Sequence, residues 1–69
     1  MLKERQIAKW SRRVFDLRLK LALSQEEFAV LLGVSRVSIT WWETGKHVPI
    51  RLHRGKIEQL GQETGGNDA

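Results

Sequence analysis

The chain has 69 residues, no cysteine, and 12 Lys and Arg against 8 Asp and Glu, for a formal net charge of +4. That length allows one small domain with a single core, and the lack of cysteine excludes a disulfide framework or a thiolate metal site. No apolar run approaches a membrane span or a signal h-region, because charges interrupt the chain every few residues through Lys20; the expected setting is therefore the cytoplasm.

Ile7, Trp10, Val14, Leu17 and Leu21 recur three and four residues apart, which predicts one apolar stripe on a helix over about residues 3–20. Its other faces are basic, with Lys3, Arg5, Lys9, Arg12, Arg13, Arg18 and Lys20 outweighing Glu4 and Asp16. Ser11 and the Arg12, Arg13 pair weaken the pattern locally, and the first dozen residues read alternatively as an arm.

In "LALSQEEFAVLLG" the start of a second helix is marked several times over. Ser24 is a good N-cap, Glu27 completes a capping box, and Leu23 with Phe28 forms a hydrophobic staple. The helix begins at Gln25 and ends at Gly33, which accepts a left-handed backbone that a Cβ resists. Ser35 caps a third helix after only Gly33 and Val34, so the two helices meet at a sharp angle. That helix runs to about Thr44, where Gly45 stops it. After the loop "KHVPI", a fourth helix is expected over about residues 51–62, with Leu52, Ile57 and Leu60 as its apolar positions. Gly55 and Gly61 each lower its propensity by about 1 kcal/mol. The tail "GGNDA" reads as disordered, so one domain is expected over 1–63 with a tail over 64–69. A second basic block, Arg36, Lys46, Arg51, Arg54 and Lys56 against Glu43 alone, overlies the third and fourth helices. Two basic blocks suit a polyanion, although a solvated surface has the same composition.

Helix, sharp turn, helix is the helix-turn-helix arrangement, and each position carries the residue its geometry demands. Ala29 stands where the two helices cross closely, Gly33 in the turn, and Phe28, Leu32, Val34, Ile39 and Trp42 point into the wedge between the helices. The segment "LSQEEFAVLLGVSRVSITWWETGKHVP" resembles the lambda-repressor-like helix-turn-helix domains of phage repressors, Cro-type proteins and small bacterial regulators, over about residues 14–60. The resemblance implies a compact all-α domain of four to five helices, with the helix-turn-helix at 25–44.

It also implies double-stranded DNA as partner, with the second helix of the motif, residues 35–44, in the major groove. Carried over by position, the base-contacting residues are Arg36, Val37, Thr40 and Trp41, with Ser38 nearby. Arg36 suits a bidentate contact to guanine O6 and N7, with a phosphate contact as its alternative. Val37 and Thr40 offer methyl groups to thymine. Of the paired tryptophans, Trp42 falls on the core side and Trp41 on the groove side, where it alternatively covers a neighbouring helix or a dimer partner. Phosphate contacts fall to Gln25 at a helix N-terminus, to Ser35, Thr44 and Lys46, and less strongly to Arg51. Glu43, out of place beside DNA, pairs in this family with a first-helix arginine, and Arg18 holds that position here. The sequence departs from the family at about nine residues before its usual first helix, and at Ile50, where a small polar residue often caps the last one. The first ten residues are either a longer helix, favoured by the apolar character of Leu2, Ile7 and Trp10, or a basic arm on DNA.

The expected function is transcriptional regulation, most simply repression, by a homodimer on a palindromic operator. The alternative is an antitoxin or adaptor whose main partner is another protein, such as a toxin. His47 and His53 stand apart from any paired acids, and no serine is placed for activation, so neither catalysis nor a metal or cofactor is expected.

Overall fold

A computed structural model describes the backbone of residues 4–65 and the side chains of 6–63. Leu2 and Lys3, the side chain of Arg5, and residues 66–69 of the expected tail lie outside what is described. Four helices follow in order, α1 (Glu4–Lys20), α2 (Gln25–Leu32), α3 (Arg36–Glu43) and α4 (Arg51–Gly65), with no strand among the described residues. The first helix is a single uninterrupted element, so the residues from Glu4 onward are the longer helix and not an arm. The last helix reaches Gly65, beyond the expected end at Gln62 and into the segment expected as tail.

The same solution closes three of these helices. Gly33 and Gly45 take φ of 74° and 80°, and Ala22 takes 59° after α1. In each case the next residue donates its N–H five residues back: Leu23 to Arg18, Val34 to Ala29, Lys46 to Trp41. This pattern satisfies carbonyls that a helix end would otherwise leave bare. The capping box at α2 is complete, with the Glu27 N–H donating to Ser24 Oγ at 3.0 Å and the Ser24 N–H donating to Glu27 Oε1 at 2.8 Å. At α4 no side chain caps the start; Ile50 supplies its carbonyl to the Arg54 N–H, and its own side chain is exposed.

The core is drawn from all four helices: Val14 and Leu17, Phe28, Ala29 and Leu32, Ile39 and Trp42, and Ile57. Trp10, Leu21, Leu23, Val34 and Leu60 pack around it, half-buried. Burial of each large side chain removes about 1.5–3 kcal/mol of apolar exposure. Leu52 departs from the expected apolar set, since it is 74% exposed. It stands at the opening turn of α4, before the helix reaches the core at Ile57. Both α1 and α2 pack on α3, so the third helix is gripped on its inner side and free on its outer one.

Candidate nucleic-acid interface

The outer side of α3 follows from the alternation of its eight residues. Ile39 and Trp42 turn inward, and Arg36, Val37 and Trp41 outward. Ser38 and Thr40 flank them, half-buried. Ser35 caps the helix, its Oγ accepting the Ser38 N–H at 3.3 Å, and no acidic residue stands in the first turn to offset the positive end of the helix dipole. Arg36, Lys46 and Arg51 are exposed and carry no ion pair among the described residues.

Behind this surface lies a polar network that joins three helices. Arg18 donates from Nε to Glu43 Oε2 at 2.6 Å, from Nη2 to Glu43 Oε1 at 3.0 Å, and from Nη1 to the Leu23 carbonyl at 3.0 Å. Gln25 Nε2 donates to the same Glu43 Oε1 at 3.0 Å, and Thr40 Oγ1 lies 3.2 Å from both Gln25 Oε1 and the Arg36 carbonyl. Ser11 Oγ donates to the Glu43 carbonyl at 2.6 Å, tying α1 to the end of α3. The side chains of Arg18 and Glu43 are only 14% and 8% exposed, so the acid is enclosed by donors. The hydrogen bond to Glu43, with the carboxylate's charge adding and burial opposing, holds the Arg18 guanidinium above its ordinary pKa. A base raised in the folded state contributes stability below its ordinary titration range and loses it only as pH rises through the folded value; Arg18 therefore stays charged throughout the neutral range.

The network also decides what several side chains have left to offer. Gln25 uses its oxygen and one amide hydrogen internally and keeps one N–H. Thr40 engages its hydroxyl with Gln25 and the Arg36 carbonyl, which leaves its methyl as the group not taken up by the network. Thr44 donates its hydroxyl to the Thr40 carbonyl at 2.8 Å and retains only acceptor capacity. Ser38 and Ser35 share a hydroxyl contact of 3.3 Å.

Trp41 is 39% exposed and is braced from the following loop. Its carbonyl accepts the N–H groups of Lys46 and His47 at 2.8 and 3.3 Å, and the His47 ring meets the indole edge-on, 4.8 Å between centroids. In the sequence His47 stood out only as a histidine apart from any paired acids; its place depends on the left-handed turn at Gly45, which folds the loop back against α3. A Cβ at Gly45 would be strained at φ 80° and would also lie 3.3 Å from Ile7 Cγ2, so both the backbone and the approach of α1 favour glycine there. Arg51 is set apart from this group, lining a hollow between α1 and α4 with Trp10, Arg54 and Glu58.

Among the described residues no group of acids and histidines could hold a metal ion, and no helix is long and apolar enough to cross a membrane. No curated protein and no solved structure matches the chain. A family model described as "Helix-turn-helix domain" matches residues 4–65, nearly the whole sequence. With α2 and α3 set in that arrangement, the chain belongs to the helix-turn-helix domain family, an all-helical DNA-binding family of the Cro and repressor type.

Proposed function

We propose that the protein is a sequence-specific transcriptional regulator, acting most simply as a repressor in the cytoplasm, with residues 1–63 as its DNA-binding domain. It reads a palindromic operator as a homodimer, with α3 of each copy in the major groove. The observation that carries this reading is the outward face of α3: an unpaired Arg36, then Val37 and Trp41, on a helix whose opposite face is locked into the core. In the groove Arg36 takes guanine, the methyl groups of Val37 and Thr40 meet thymine, and Trp41 packs on sugar and thymine methyls with Ser38 beside it. Gln25, Ser35, Thr44 and Lys46 face phosphates, Gln25 through its remaining N–H and Thr44 by turning its hydroxyl away from the Thr40 carbonyl. Arg51, at the start of α4 and beside the hollow next to α1, is the least supported of the phosphate contacts.

Selection of bound duplexes from random DNA tests this. The expected product is an inverted repeat with half-site centres about one helical turn, roughly 34 Å, apart; enrichment of no sequence, or of a single half-site, would contradict it.

The exposed apolar side chains Ile50 and Leu52 at the start of α4 supply a surface for the second copy, at 62% and 74% exposure. The same surface supports the second reading, an antitoxin or adaptor for which a toxin or other protein is the main partner. Binding to such a partner without any DNA selection would favour it.

A further inference from the structure

Between α1 and α4, away from the helix-turn-helix, two adjoining hollows of about 420 and 470 Å3 share Arg13, Leu17 and Gly61 in their walls. The buried core residue Leu17 closes the bottom of both and Ile57 that of the second, and the space above them is open because Gly61 has no side chain. A Cβ built there meets no heavy atom within 4 Å. Along the rim Lys9, Arg13, Asp16 and Lys20 repeat at helical spacing, with Arg12 beside them. Each of the four lies two residues from Ser11 or Arg18, the edge of α1 that holds Glu43 and α3. Two residues turn a helix by about 200°, so this stripe faces away from the proposed DNA surface. Lys9, Arg12 and Lys20 have no ion-pair partner among the described residues, and Arg13 meets Glu58 across the groove at 2.7 Å in a solvent-exposed pair. Such a pair contributes little and is readily exchanged for another carboxylate.

We infer that this groove is the docking site for an acidic amphipathic helix of a partner protein. A helix laid along α1 sets its apolar stripe into the space over Gly61, against the aliphatic stems of Lys9, Arg13 and Lys20. Its flanking carboxylates then meet Lys9, Arg12 and Lys20, which span about 16 Å of α1. A duplex held on α3 leaves the groove accessible, so partner and DNA bind together. The inference is independent of which sequence α3 reads, and of whether it reads one.

The test uses the full chain, isotope-labelled for amide spectra, and a synthetic helical peptide with a leucine stripe flanked by glutamates. Amide shifts are expected at Lys9, Arg12, Lys20 and Gly61 and not along α3, with the same affinity when duplex DNA is already bound. Replacing the peptide's glutamates by glutamines, or Lys9→Gln with Arg12→Gln in the protein, should weaken binding about tenfold or more. Gly61→Leu fills the groove from a helical position and should abolish binding without lowering the melting temperature. None of these variants should change the DNA sequence selected. Shifts confined to α3 would show the peptide imitating DNA, and concentration-dependent groove shifts without peptide would show a second copy as the occupant. Either result, or no shifts at all, overturns the inference, whereas a failure of DNA selection alone would overturn only the proposed function.

Discussion

Glu43 shows how one residue serves two neighbours. Its carboxylate accepts two bonds from Arg18 and one from Gln25, and Gln25 in turn faces Thr40, so an acid near the proposed DNA surface sets the orientation of groups on α1, α2 and α3. Removing one partner of an enclosed pair strands the other. Glu43→Ala should therefore cost about 3–5 kcal/mol in urea unfolding; a loss under 1 kcal/mol would show the network to be incidental. The pairing of Arg18 with Glu43 was legible in the sequence through the family resemblance. The engagement of Gln25 was not, because a glutamine at the first position of a helix satisfies the same local pattern whether its amide points to solvent or sideways to a neighbour. His47 was hidden for a related reason: its approach to Trp41 depends on the turn at Gly45, and a ring-to-ring contact leaves no periodic mark.

At the scale of the elements, caps and apolar spacing predicted α2 and α3 almost to the residue, since Ser24, Glu27, Gly33 and Ser35 each act on the nearest turn. Further from such signals the reading was coarser. Leu52 was placed with the apolar positions of α4 but stands in water, and α4 continues to Gly65 despite Gly55 and Gly61. The end of α1 carried no glycine to announce it, yet Ala22 adopts the left-handed conformation that Gly33 and Gly45 adopt elsewhere. A Cβ there costs about 1–2 kcal/mol, partly offset by the lower entropy of unfolded alanine. Ala22→Gly should accordingly stabilise the domain by about 0.5–1 kcal/mol, read as a higher urea midpoint. The reverse change at the equivalent turn, Gly45→Ala, should destabilise it, because strain at φ 80° is joined by the approach to Ile7. Unchanged midpoints in both variants would contradict the account of these helix ends.

For the whole molecule, the two sides of α3 carry separate tasks. The inner side belongs to a core assembled from all four helices, and the outer side is left for a partner; Trp42 and Trp41, adjacent in sequence, mark the boundary between them. Charge follows the same division, with the exposed cations Arg36 and Lys46 beside the outer face and the acid Glu43 drawn beneath it. Lys46→Ala should weaken binding to all duplexes about equally and reduce the slope of log affinity against log salt by about one. A shift in base preference would instead move Lys46 into the group of base readers.

The central claim is that α3 reads bases through Arg36, and parallel selection from random duplex DNA with the native chain and Arg36→Ala tests it most directly. The native chain should enrich an inverted repeat containing a fixed guanine in each half-site, and the variant should lose preference at that position by about 1–3 kcal/mol while keeping its salt-dependent affinity for unrelated DNA. The same selected site from both proteins would contradict the account.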